Sequence, residues 1–158
     1  MSTNEQQARS VSRRVTRGFD PVKLAELRTN RRITRSDLAR LAEVGESTLH
    51  HWERGTRSPQ VDLLARVVAK LDATVQDVVS VPDAETFPGD LRVRAGLTQP
   101  ELGRLSGIGT SSITRIERGQ AALTSESLDK LSAVLKVSSE AYQAAYDRVR
   151  ARPAGTPS

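Results

Sequence analysis

The feature that most constrains this chain is a repeat. L-R-T-N-R-R-I-T-R-S-D-L-A-R-L-A-E-V-G-E-S-T-L-H-H-W-E-R-G begins at Leu27. L-R-V-R-A-G-L-T-Q-P-E-L-G-R-L-S-G-I-G-T-S-S-I-T-R-I-E-R-G begins at Leu91, 64 residues later, and the two align without a gap. Leu27, Arg28, Thr34, Leu38, Arg40, Leu41, Gly45, Ser47, Glu53, Arg54 and Gly55 recur as Leu91, Arg92, Thr98, Leu102, Arg104, Leu105, Gly109, Ser111, Glu117, Arg118 and Gly119. Helix-rich composition can repeat leucines by chance, but it does not repeat the glycines or the Glu-Arg-Gly ending. Self-similarity at a fixed offset means one small folding unit present twice. A chain of 158 residues has room for one ordinary domain or two small ones, and the repeat selects two.

Each copy reads as a series of short helices. Asp20-Pro21 is an N-cap followed by proline at the first helical position, with Val22, Leu24, Ala25 and Leu27 as the apolar face. Thr34 and Asp37 have the spacing of a capping box and open a second helix, whose buried stripe is expected at Leu38, Leu41 and Ala42. Gly45 ends a tight turn. A third helix runs from about Glu46 to Arg54, where Gly55 stops it. A fourth helix follows Pro59, carrying Leu63, Leu64, Val67 and Val68, and a fifth follows Thr74. In the second copy Pro88 starts the first helix and Thr98 with Glu101 makes a fuller capping box. Ser111 to Arg118 is the third helix, and the last helix runs from Ser139 to about Ala151. The domain plan is a tail at 1–18, a first domain at 19–80, a linker at 81–87, a second domain at 88–151 and a disordered end at 152–158.

Composition removes several classes of function. There is no cysteine, so disulfides, thiolate nucleophiles and cysteine-ligated zinc are out. No apolar run approaches the roughly 20 residues needed to span a bilayer, and no signal-peptide centre is visible, so a soluble cytoplasmic protein is expected. Of the net charge of +5, residues 1–18 supply +3, from Arg9, Arg13, Arg14 and Arg17 against Glu5. That stretch is either a solvated tail or a basic arm, carried by Arg13, Arg14 and Arg17, drawn to phosphate or a minor groove.

Two helices joined by a tight turn, the second opening with small polar residues, have the helix-turn-helix pattern. T-R-S-D-L-A-R-L-A-E-V-G-E-S-T-L-H-H-W-E-R-G and T-Q-P-E-L-G-R-L-S-G-I-G-T-S-S-I-T-R-I-E-R-G both resemble the Cro/lambda-repressor-type (xenobiotic-response-element) helix-turn-helix family, over roughly residues 20–80 and 86–146. The fold the resemblance implies is all-α: two tandem five-helix domains. Leu49 and Trp52, like Ile113 and Ile116, would face inward. Glu53 and Glu117 stand where the family pairs a glutamate with an arginine of the first helix, here Arg28 and Arg92, as structural ion pairs.

The resemblance also implies site residues. Glu46, Ser47, His50 and His51 in the first copy, and Thr110, Ser111, Thr114 and Arg115 in the second, match the positions that meet base edges in the major groove. Arg115 is the best reader, because a guanidinium can bond guanine O6 and N7 together. Glu46 could accept from a cytosine amino group but repels phosphate. Arg35 and Gln99 open the second helices, where the family holds a phosphate; Arg54, Arg57, Arg118 and Gln120 follow the third helices, where backbone phosphates would run. For each of these the plain alternative is a solvated side chain. The sequence departs from the family in three places. Glu43 stands where glycine is usual, as at Gly107; Gly45 and Gly109 replace the serine cap of the third helix; Leu123 replaces the proline present as Pro59.

His50 and His51 are the only histidines and invite a metal or acid/base reading. Adjacent helical residues point about 100° apart, so the two cannot chelate one ion together. Glu46 and His50 would supply two ligands, with no third identified. No metal or other cofactor, small-molecule ligand or membrane contact is expected, and the lack of a phosphate loop or nucleophile motif argues against an enzyme. The expected partner is double-stranded DNA, and the expected function a sequence-specific transcriptional regulator, a repressor of bacterial, phage or mobile-element type, reading two subsites. Control by abundance or a partner fits a chain with no sensory domain left over. The rival is a protein-interaction module, antitoxin-like or a bridging or assembly factor. A homodimer through the C-terminal helix is possible, although Tyr142, Ala145, Tyr146 and Val149 at helical spacing more often mean core.

Overall fold

The structure is a computed structural model that describes residues 16–153. Arg13 and Arg14, and with them most of the expected basic arm, lie outside the described residues, as does the C-terminal end beyond Pro153. The described chain is all-helical apart from one isolated bridge, and it divides into two compact units between Ser80 and Val81. Among the described residues no helix is long and apolar enough to cross a membrane.

The first unit contains α1 (Pro21–Asn30), α2 (Arg35–Ala42), α3 (Glu46–Glu53), α4 (Val61–Lys70) and a 3-10 turn at Val75–Asp77. The helix starts follow from side-chain acceptors. The Asp20 carboxylate accepts from the Val22 and Lys23 amides, and Thr34 Oγ1 accepts from the Asp37 amide at 3.1 Å. Leu24, Leu38, Leu49, Leu64 and Val67 are all 0% exposed, and Trp52 lies among the buried residues at 2%. Burying each such side chain is worth about 1.5–3 kcal/mol. The unit closes on itself where Phe19 bridges Val79, with Asp20 donating to Val78 O and Ser80 to Gly18 O.

That closure explains why the expected fifth helix of the first unit is only a 3-10 turn. Thr74 and Asp77 form a capping box, but Val78 at φ −125°, ψ −4° ends the turn, its carbonyl accepts from the Asp20 amide, and Val79 is drawn into the bridge with Phe19. A second expectation fails on α2. Leu41 is 43% exposed, and Ala39 takes its place in the core beside Leu38 and Ala42. The buried face of α2 is centred between positions 38, 39 and 42; Leu41 falls about 100° from that centre on a helical wheel. Val22, expected on the apolar face of α1, is likewise 62% exposed, leaving Leu24 as the buried residue of that helix.

The second unit has a 3-10 turn at Asp83–Glu85, then α5 (Pro88–Arg94), α6 (Gln99–Ser106), α7 (Thr110–Glu117), α8 (Ser125–Leu135) and α9 (Ser139–Arg150). Here the fifth α-helix is present. Residues 81–87, expected as linker, fold onto this unit: Val81 is 7% and Thr86 3% exposed. Arg94 Nη2 donates to Val81 O and Thr86 Oγ1, and Arg148 Nη1 to Thr86 O. Tyr142, Ala145, Tyr146 and Val149 pack with Leu91, Leu102, Ile113, Ile116 and Leu131 in one core. These four residues of α9 therefore serve as core within their own unit.

The backbone repeats as faithfully as the sequence. Arg32, Glu43, Gly55 and Asp72 adopt left-handed φ angles in the first unit, and Gly96, Gly107, Gly119 and Lys136 do so in the second, each at the same 64-residue offset. The equivalent turns are thus made whether or not glycine is there to make them.

Candidate nucleic-acid interface

In each unit the second and third helices pack together across a three-residue turn whose first residue is left-handed: Glu43 at φ 57° or Gly107 at φ 73°. In the first unit the Val44 amide returns to Ala39 O at 2.9 Å, and Arg66 Nη2 reaches Glu43 O. In the second, Gly103 lets the turn approach closely, since a Cβ there would lie 2.9 Å from Ile108 O. The third helices, α3 and α7, start at Gly45 and Gly109 with no side-chain cap.

A buried ion pair fixes each third helix to its first helix. Arg28 Nε donates to Glu53 Oε1 at 2.7 Å, and Arg92 Nε to Glu117 Oε1 at 2.5 Å. Both glutamate side chains are only 7% exposed. Each arginine spends another N–H on the loop carbonyl five residues on: Arg28 Nη1 on Ile33 O, and Arg92 Nη1 on Leu97 O. The pair is thereby oriented as well as neutralised. In the second unit Tyr142 packs beside it, and burial, reinforced by the Glu117 charge, pushes the phenol pKa above its ordinary value.

With Leu49 and Trp52, or Ile113 and Ile116, turned into the core, the opposite faces of α3 and α7 stay accessible. Glu46, Ser47, Thr110, Ser111 and Arg115 are exposed; His50, His51 and Thr114 are partly covered. Among the described residues the guanidinium groups of Arg54, Arg57, Arg115 and Arg118 have no hydrogen-bond or ion-pair partner. Arg54 and Arg118 are the C-cap residues of α3 and α7, each followed by a left-handed glycine, so they sit with Arg57 and Gln120 at the rim of the exposed helix.

The structure adds links that sequence spacing did not show. Arg35 Nη1 sits 2.5 Å from His50 Nδ1, and Arg35 Nε lies 3.2 Å from Glu53 Oε2, close but too poorly aligned for a hydrogen bond. In the second unit Gln99 Nε2 donates to Glu117 Oε2 at 2.7 Å, and Thr114 Oγ1 donates to Gln99 Oε1 at 3.0 Å. So the residues expected to hold phosphate, Arg35 and Gln99, contact residues expected to face bases. His51 Nδ1 meets Thr56 Oγ1 at 2.8 Å, which ties α3 to the loop that follows. Thr16 is anchored on that same loop, its amide to Ser58 Oγ and its hydroxyl to Pro59 O, so the chain reaches the unit beside Arg57. Arg17, the described member of the basic arm, follows directly and is exposed. Both histidine rings are engaged by neighbouring side chains, and no group of three or more His, Asp or Glu among the described residues could hold a metal ion.

Comparison with known families decides the identity. A family described as a helix-turn-helix domain matches residues 22–80, and a second, described as helix-turn-helix, matches residues 90–141. The chain belongs to the Cro/lambda-repressor-like helix-turn-helix proteins, with two copies in tandem. No curated protein and no solved structure matches it. The two domains make this tandem helix-turn-helix protein a DNA-binding regulator whose partner is DNA.

Proposed function

We propose that the protein is a sequence-specific repressor of double-stranded DNA that reads two subsites, one with α3 and one with α7. The observation that carries this reading is the repeated clamp, Arg28–Glu53 and Arg92–Glu117, which holds a recognition helix in each unit with its polar face outward. Neither copy has lost its frame, so both are fit to enter a major groove. Arg115 is the strongest base reader, supported by Ser111 and Thr110 at the exposed start of α7; Glu46, Ser47, His50 and His51 serve the first unit. Arg54, Arg57, Arg118 and Gln120 contact phosphates, as do Arg35 and Gln99 at the N-termini of α2 and α6. Joining two readers in one chain raises the effective concentration of the second once the first is bound.

The protein acts by occupying its site in the cytoplasm of a bacterial or phage-infected cell and performs no catalysis. Selection from random duplexes by the intact chain at moderate salt tests the reading. Recovery of a two-block motif supports it; recovery of no motif sinks it. Glu46, exposed in the first turn of α3 where it repels phosphate, favours a second reading in which the first unit contacts a protein. That reading predicts a motif with the α7 block alone.

A further inference from the structure

The two recognition helices are held by the same clamp, but the residue beside the clamp differs, and donor-acceptor chemistry carries that difference outward. In the second unit the chain of hydrogen bonds starts at Glu117, a carboxylate that only accepts. Its Oε2 takes the Gln99 amide N–H, which turns Gln99 Oε1 toward Thr114. Thr114 Oγ1 lies 3.0 Å from that oxygen and 3.0 Å from Thr110 O. Both neighbours are acceptors and a hydroxyl has one proton, so the Thr114 proton is used up. What remains for a ligand is its lone pairs and its methyl group.

In the first unit the same place is held by Arg35, which has no acceptor atom at all. Its Nη1 faces His50 Nδ1, so that ring nitrogen must be the unprotonated one. The ring proton then sits on Nε2, and Nε2–H is the hydrogen-bonding group His50 has left. Glutamine can pass the acceptor character of the glutamate outward by reversing through its amide; arginine can only donate. The equivalent positions of α3 and α7 therefore end with opposite hydrogen-bonding sense.

We propose that Arg35 and Gln99 are positioning residues that set base preference at equivalent steps of the two subsites, His50 donating to its base and Thr114 accepting from its own. This rests on the reading that α3 and α7 lie in the major groove. Guanine offers only acceptors there and cytosine only an amino donor. On the strand each side chain faces, His50 favours guanine and excludes cytosine, whereas Thr114 excludes guanine and favours adenine or cytosine. The two blocks of the operator are consequently not copies of each other, and the protein binds it in one orientation.

The test has two arms on the intact chain. In the first, nitrogen-15 NMR of the free protein reads the His50 ring: the proton is expected on Nε2, and a proton on Nδ1 would overturn the proposal without touching the wider DNA-binding reading. In the second, random-duplex selection is run on the wild type, on Arg35→Gln with His50→Thr, and on Gln99→Arg with Thr114→His. Each exchange installs a pair that the other copy already accommodates, and thermal unfolding checks that both variants fold. Each is expected to move one base pair in its own block to the preference of the other block, by roughly three- to tenfold, the range for one net hydrogen bond. A recovered two-block site in which neither exchange moves a base pair overturns the proposal and leaves the repressor reading standing. No recovered site overturns both, and the NMR arm then shows whether the hydrogen-bond chain itself is intact.

Discussion

Glu53 is bonded to Arg28 at 2.7 Å across α1 and α3, and Glu117 repeats the arrangement with Arg92 one copy later. A charge this buried is tolerable only while its partner stands beside it. Removing one side should cost about 3–5 kcal/mol in the unit concerned. Urea unfolding of Arg28→Ala and Arg92→Ala, with a probe in each unit, should show each destabilisation confined to its own unit. Trp52, the only tryptophan, reports on the first unit alone. Replacing both partners by apolar residues should recover part of the stability, because no unpaired charge is then left inside. Single variants within about 0.5 kcal/mol of the wild type would mean that the pair contributes nothing.

The left-handed positions make a graded prediction. A Cβ at Gly107 would meet nothing within 4 Å, so Gly107→Ala should cost only the left-handed strain, about 1–2 kcal/mol. At Gly119 a Cβ would also press on Arg150 Cγ at 3.1 Å and Val149 Cγ1 at 3.3 Å, against the core-bound α9. Gly119→Ala should therefore be the more damaging of the two in thermal unfolding. Glu43 already carries the strain at φ 57°, and Glu43→Gly should be neutral or stabilising. An equal response at positions 107 and 119 would contradict the packing argument.

Much of this was legible in the sequence because it is written in local signals. The caps at Asp20, Thr34 and Thr98, the helix stops at Gly55 and Gly119, and the duplication itself depend on residues a few positions apart or on direct self-comparison. Arg28 and Glu53 could be paired only through the family frame, since spacing of 25 residues says nothing by itself. Leu41 and the fifth helix of the first unit depart from the local pattern because tertiary context decides them: which face of α2 meets its neighbours, and where Val78 and Val79 must run. The Arg35–His50 and Gln99–Thr114 contacts were out of reach of pattern reading. They depend on the crossing of two helices, although both pairs share the same 15-residue separation, and comparison of the two copies could have drawn attention to it.

If α7 reads DNA as proposed, Arg115 and Arg118 should separate in their effects although they are neighbours on one helix end. Arg115→Ala should relax one base pair, with discrimination there falling by about 1–3 kcal/mol. Arg118→Ala and Arg57→Ala should weaken binding to all sequences alike and lower the salt slope by about 0.9 for each phosphate left unneutralised. Titrations of matched and mismatched duplexes at several salt concentrations distinguish the two behaviours. A uniform weakening from Arg115→Ala would assign that residue to phosphate.

Tyr142 gives the second unit a stability limit at alkaline pH. Its side chain is 1% exposed beside the Glu117 carboxylate, so burial first and that charge second hold its pKa above the ordinary value of 10.0. Below about pH 10 the phenol keeps its proton in both the folded and unfolded chain, and its contribution is fully present. Above that pH the unfolded chain ionises while the folded unit does not, so stability falls as pH rises, by up to about 1.4 kcal/mol per pH unit. Tyr142→Phe removes the ionisation and keeps the ring, so the variant should lose stability less steeply with rising pH. The first unit contains no tyrosine and serves as the internal control, since its alkaline profile should be unaltered by the substitution. Parallel curves for wild type and Tyr142→Phe would mean that the phenol ionises as readily in the folded unit as in the unfolded chain, and that the Glu117 environment is more open than its burial indicates.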